Sequence, residues 1–187
     1  TPSSSSAASD VYKRQLLPIP REEKITSLVA VDSFDNDCYL LMLTKAGFIK
    51  RTSLSAFSKI RSNGLIAINL EDGDALTWVR LSKEGDSVLI GSKTGMAIHF
   101  RLDINELRPL GRTARGVKSM NLRDGDNLVS MDVLTSDLVD ELARIEDNAE
   151  EIHENLEENS SDGPWVLIAS AFGLGKRVPV TQFRLQK

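Results

Sequence analysis

The chain has little of what most enzymes and secreted proteins carry. Cysteine occurs once, as Cys38, so no intramolecular disulfide can form and a reducing compartment fits. Histidine occurs twice, as His99 and His153, and neither belongs to a spaced set of Cys, His or carboxylates of the kind that holds a metal. Aromatic residues make up 5% of the chain. No apolar run approaches the roughly 20 residues that span a bilayer. There is no Gly-rich phosphate loop ending in Lys-Ser/Thr, no nucleophile elbow and no EF-hand ligand run. A free-standing enzyme therefore has no motif behind it, and no catalytic or metal-binding residue is assigned.

What is present is charge, unevenly spread. The 187 residues are 41% hydrophobic and 27% charged, enough for one or two ordinary cores, with a formal net charge of -4. That sum argues against a nucleic-acid partner, but its distribution does not. Residues 137–162 hold eleven acidic residues and one Arg, for -10, which leaves the rest of the chain at +6.

The chain also repeats itself. Residues 111–126 read GRTARGVKSMNLRDGD, and residues 59–74 read KIRSNGLIAINLEDGD. Gly64 matches Gly116, Ile68 matches Met120, Leu70 matches Leu122, and the two Asp-Gly-Asp turns match, 52 residues apart. A fixed period of this length marks a repeat architecture. The Asp-Gly-Asp sequences are expected as strand-stopping turns.

Three units follow. In the first (about 25–74), residues 25–31 (ITSLVAV), 39–43 (YLLML), 48–52 (FIKRT) and 65–70 are expected strands, with Lys45-Ala46-Gly47 as a tight turn. In the second (about 76–126), residues 76–81, 88–90, 96–101 and 117–122 take those places, and Lys93-Thr94-Gly95 repeats the turn 48 residues on. Ile98 and His99 occupy the positions of Lys50 and Arg51. The third (about 128–187) offers residues 128–134, 165–169 and 176–183, without a basic loop or last strand, and reads as cut inside a repeat. Residues 1–19 form a separate tail; the Ser/Ala-rich 1–15 has no apolar period and is expected to be disordered or non-native.

A loop of about six residues in the first two units grows to an acidic insertion at 135–164 in the third. Within it Leu138, Leu142, Ile145, Ala149, Ile152 and Leu156 recur at helical spacing, so an amphipathic helix is expected. It reads either as a solvated insertion or as an acidic element that competes with DNA for a basic surface.

Basic residues recur at equivalent places. They are Lys45, Lys50, Arg51, Lys59, Arg61, Lys93, Arg101, Arg108, Arg112, Arg115, Lys118, Lys176 and Arg177. As a set they are expected along one rim. A rim of Lys and Arg with few aromatics suits the phosphate backbone of duplex DNA, with specificity coming from DNA bendability.

The motifs Gly47-Phe-Ile-Lys-Arg-Thr52, Asn63-Gly64-Leu-Ile-Ala-Ile-Asn-Leu-Glu-Asp-Gly-Asp74, Leu110-Gly111-Arg112, Arg115-Gly116-Val117 and Asp124-Gly125-Asp126 resemble the C-terminal domain of the DNA gyrase A subunit. The resemblance covers about residues 20–183. It implies an all-β fold, a partial β-pinwheel of four-stranded, strand-exchanging blades, and a DNA-binding and DNA-wrapping module. It implies a type IIA topoisomerase holoenzyme (A2B2, with a gyrase B-type subunit) that uses ATP and Mg2+ for negative supercoiling, with no cofactor in this stretch. The compartment would be the bacterial cytoplasm, or a chloroplast or mitochondrion. The family's glutamine-arginine-glycine-rich box has no match here, so the resemblance carries binding further than wrapping. The A-subunit domain of topoisomerase IV is the near alternative, and a propeller-like protein-interaction module is the alternative from another class.

Overall fold

The computed structural model describes residues 23–34, 37–59, 64–149 and 164–186. The tail at 1–15, Arg61 and the second half of the acidic insertion lie outside them. Two four-stranded sheets dominate. The strands are β1 (Cys38–Thr44), β2 (Phe48–Ser53), β3 (Leu76–Lys83), β4 (Ser87–Ser92), β5 (Ala97–Arg101), β6 (Val117–Lys118), β7 (Leu128–Leu134), β8 (Trp165–Ala169), β9 (Gly175–Pro179) and β10 (Leu185–Gln186). One helix, α1 (Ser136–Ala149), follows β7.

The first sheet runs β3-β1-β2-β6 and the second β7-β4-β5-β10. Each has the same plan. A hairpin from one unit is flanked by the first strand of the next unit and by a short strand from near that unit's end. The sheets therefore exchange strands, and no unit closes on its own.

The apolar run of β1 explains how the sheets stack. Leu41 and Leu43 share one face by the two-residue period of a strand. With Ile49 they pack against Val88, Ile90, Leu102, Leu107, Leu128 and Met131 from the second unit and the start of the third. Met42 points to the other face, against Phe57, Ile68 and Val79. A strand covered on both faces reads as a continuous apolar run rather than an alternating one.

Three expectations need correction. Residues 25–31 are not a strand, although Val29 packs on the Met42 side of the first sheet. Residues 65–70 are not a strand either; Ile68 is buried there without a ladder. Both segments have the right composition, but their ladder partner would be a preceding hairpin, and none stands beside them among the described residues. The strand expected over 117–122 is reduced to β6, two residues long. A short strand that was not expected, β10, runs parallel to β5 where β6 is antiparallel to β2.

The Asp-Gly-Asp turns fasten each hairpin to the following strand. Asp74 Oδ1 accepts from the amides of Ala46 (2.9 Å) and Ala75 (2.8 Å). Asp126 Oδ1 accepts from Thr94 N (3.1 Å) and Asn127 N (2.9 Å), and Thr94 Oγ1 donates to Asp126 Oδ2 at 2.6 Å. The Thr94 hydroxyl is the main cause that holds the Asp126 carboxyl down at about 2 from its ordinary 3.8. Its folded form thus ionises more readily than its unfolded form. The stabilisation is full above the ordinary carboxylate range and is lost as the pH falls toward 2. Asp126→Asn is expected to flatten the decline in melting temperature between about pH 4 and pH 2; an unchanged acid profile would place the acid-sensitive group elsewhere.

Candidate nucleic-acid interface

The expected basic residues divide sharply when placed in the fold. Lys50 and Arg51, in the middle of β2, have no exposed surface at all. They do not present charge to a rim, and their places on it are corrected here. Long cations are tolerated in an interior where acceptors meet their donors, and acceptors surround Lys50 Nζ and Arg51 Nε and Nη1, while Arg51 Nη2 is buried without a hydrogen-bond partner.

Lys50 Nζ donates to the carbonyls of Ala67 (2.6 Å), Gly111 (3.3 Å), Arg112 (2.6 Å) and Ala114 (3.0 Å). Arg51 Nη1 donates to Leu102 O at 2.7 Å and to Glu84 Oε2 at 2.9 Å, and its Nε donates to Leu107 O. Its guanidinium lies 4.6 Å from the centre of the Tyr39 ring. Each cation on the first hairpin is thus fixed by backbone of the next unit.

The position recurs. His99, 48 residues after Arg51, is buried. Its Nδ1 lies 2.8 Å from Phe183 O, and its Nε2 lies 2.8 Å from Ser87 Oγ. A carbonyl can only accept, so Nδ1 carries the proton and, in the neutral ring, Nε2 accepts from the serine hydroxyl. Ser87 stands 48 residues after Tyr39, so a residue of the hairpin's first strand again braces the strut. In β8 and β9 the pair is Trp165 and Arg177, with the guanidinium 4.5 Å from the ring centre. Lys176 and Arg177 remain exposed because no following strand covers their hairpin among the described residues. For the same reason Leu167 is 78% exposed, whereas Leu41 at the matching place in β1 is 0% exposed.

Two exposed cations, Arg115 and Lys118, are placed directly beside Phe48. The Arg115 guanidinium lies 4.3 Å from that ring centre and forms an ion pair with Glu71. Lys118 is the ladder partner of Phe48. Lys45 sits in the turn just before it, and Arg112 follows in the loop 111–115, half-exposed. Arg108 is exposed on the segment leading into that loop. Phe48 and Glu71 were missed as site residues, though an aromatic directly after the Gly47 turn was the available signal. Other cations are not brought to this group. Arg101 pairs with Ser87 at the far end of β5, Lys93 lies in the turn of the second sheet, and Lys176 and Arg177 stand on the separate β8-β9 hairpin. Lys59 is exposed beside the undescribed residues 60–63.

Gly116 makes the group possible. Its φ is +104°, and a Cβ there would lie 2.4 Å from Ile49 O. The loop can cross β2 this closely only without a side chain. Ser119 then clamps the turn, with both its amide (2.8 Å) and its hydroxyl (2.9 Å) donating to Gly47 O.

A family model described as the DNA gyrase C-terminal domain, beta-propeller, matches residues 39–83, 86–135 and 164–187. The chain belongs to that family. The DNA gyrase A subunit of Synechocystis is 56% identical over 99% of this chain and 22% of its own length. The probable chloroplastic/mitochondrial gyrase A subunit of Oryza sativa is 40% identical over 98% of this chain and 18% of its own. The chain thus spans about a fifth of these curated relatives. Among solved structures, the C-terminal domain of DNA topoisomerase IV superposes with a TM-score of 0.70 at 26% identity, covering 92% of this chain and 46% of that one. A DNA gyrase A C-terminal domain gives 0.68 at 26% identity, covering 92% and 48%. The gaps in the family match fall at residues 84–85 and at 136–163, so the acidic insertion departs from the gyrase C-terminal domain pattern.

Proposed function

We propose that this chain is the duplex-binding part of a gyrase A subunit, gripping phosphates with the cations grouped around Phe48. The observation that carries this reading is the Arg115 guanidinium over the Phe48 ring with Lys118 opposite Phe48 in the ladder, Lys45 in the adjoining turn and the Arg112 carbonyl held on Lys50 two residues along β2. A group of separate cations with one aromatic, itself covered by Arg115, fits backbone phosphates better than base edges. Lys59, Lys93, Arg101, Arg108, Lys176 and Arg177 extend the reading to other edges, and Arg61 falls outside the described residues. The division into units at about 25–74, 76–126 and 128–187 belongs to the same proposal.

In the whole enzyme such binding would present a wrapped duplex to a cleavage core, in an A2B2 assembly with a B-type subunit that consumes ATP. Among the described residues no group of three His, Cys, Asp or Glu could hold a metal ion. No described helix is long and apolar enough to cross a membrane.

The test is an equilibrium titration of the chain with a random duplex at two salt concentrations. The logarithm of affinity should fall with the logarithm of salt at a slope of about -0.9 per phosphate contacted. A parallel variant replaces Asp147, Glu150, Glu151, Glu154, Glu157, Glu158 and Asp162 by Asn or Gln and leaves the buried Val139 anchor of α1 intact. It should bind roughly several-fold tighter at low salt and equally at high salt, where charges beyond about 10 Å are screened. No binding at low salt in either protein would favour protein recognition, for which the exposed Leu167, Phe172 and Leu174 of the β8-β9 hairpin are the available apolar surface.

A further inference from the structure

Three of the four carbonyls that surround Lys50 Nζ belong to one short loop, those of Gly111, Arg112 and Ala114. The fourth, Ala67, comes from the end of the first unit. An ammonium has three protons, so four acceptors share them and the 3.3 Å contact to Gly111 O is the weak member. Drawing three carbonyls of a short loop to one interior point turns the peptide units between them outward. Within the loop only Ala114 N finds a backbone acceptor, Gly111 O at 3.1 Å. The amides of Arg112, Thr113 and Arg115 have none among the described residues.

Lys50 itself never reaches the surface, and the Gly116 backbone covers its stem, with a Cβ there lying 3.0 Å from Lys50 Cβ. Burying a cation this completely costs stability. Burial lowers its pKa to about 8 from 10.5, which still leaves it mostly charged at neutral pH. The matching position in the second hairpin is Ile98, half-buried, so the fold does not require a cation there. What distinguishes the first hairpin is the loop packed over it, which carries Arg112 and Arg115.

We propose that Lys50 is a positioning residue that, from inside the fold, shapes residues 111–115 into a phosphodiester-binding loop. Its carbonyls face the ammonium, while its free amides and two arginines face the duplex. This rests on the duplex-binding reading above and deepens it: Lys50 governs binding without touching DNA.

The experiment uses the full chain with a random duplex as probe. Lys50→Gln and Lys50→Met are compared with wild type, each also on an Arg112→Gln, Arg115→Gln background. Either Lys50 variant should weaken binding roughly tenfold and reduce the salt slope by up to about 2, although a buried residue makes no phosphate contact of its own. On the double-Gln background the further effect of either should shrink to the share that the loop amides carry. Equal losses on both backgrounds, or wild-type binding by a folded Lys50 variant, would overturn the proposal. Hydrogen exchange supplies a readout that needs no variant. In wild type the amides of Arg112, Thr113 and Arg115 should become protected on adding duplex; binding that leaves them unprotected overturns the loop's role. Wild type that binds no duplex at all overturns the DNA reading as well. Faster exchange of the Ala114 amide, which donates to Gly111 O, in DNA-free Lys50→Gln would then still show that Lys50 shapes the loop.

Discussion

Gly116→Ala should destabilise the fold by about 3 kcal/mol, while Gly64→Ala, at the matching place one repeat earlier, should cost only about 1 kcal/mol. Both glycines have positive φ, +104° and +78°, which costs an alanine roughly 1–2 kcal/mol. They differ in what stands behind them. A Cβ on Gly116 would meet Ile49 O at 2.4 Å, Ile49 C at 2.9 Å and Lys50 Cβ at 3.0 Å, whereas a Cβ on Gly64 meets nothing within 4 Å. The blocking atoms at Gly116 are backbone of a central strand, so relief requires the loop to lift off β2, and overpacking of this kind costs about 1–3 kcal/mol more. Lifting the loop also stretches the Lys50 contacts, so the variant should lose duplex affinity along with stability. Urea midpoints of the two variants measure the contrast. Equal losses would mean that Gly116 is required for its dihedral angle alone and that the close crossing over β2 is not a constraint.

The crossing explains which features of the fold were legible in the sequence. The Gly turns, the Asp-Gly-Asp stops and the apolar run of β1 are local: a few residues carry both the signal and its cause. Residues 25–31 and 65–70 have equally good strand composition and form none, because a ladder needs a neighbour and the neighbour comes from another unit. β10 went unexpected for the mirror reason: a two-residue segment becomes a strand only because β5 offers an edge. The interface shows the same division. Recurrence of Lys and Arg was visible, but whether each faces water or a carbonyl was not, since that depends on loops 56 to 61 residues away. A clue did lie in the sequence. Ile98 and His99 stand where Lys50 and Arg51 stand, and an apolar residue at a position repeated in space marks that position as inward. Read that way, the second repeat would have moved both cations off the rim.

Arg112→Glu with Arg115→Glu should lower duplex affinity roughly a hundredfold, alike for every sequence, taking each lost charge-assisted contact at about 1.5 kcal/mol. The salt slope should flatten by about 2, because two phosphate contacts are removed. The two arginines enter differently. Arg112 is anchored by its own carbonyl on Lys50, so its side chain extends from a fixed backbone. Arg115 is held over Phe48 and already paired with Glu71, so a phosphate must displace a carboxylate to engage it. Part of the loss in the double variant therefore comes from placing a second acidic group beside Glu71. A charge-matched control separates local geometry from net charge: Arg80→Glu with Lys83→Glu changes the total by the same amount. Those residues stand on β3 opposite Leu41 and Cys38, not in the Phe48 group. The control should weaken binding only slightly at 0.15 M salt, where the Debye length is about 8 Å. Equal losses in the two double variants would mean that binding follows total charge and that no particular end of the sheet meets the duplex. A loss confined to some sequences would mean that the arginines read base edges instead of phosphates.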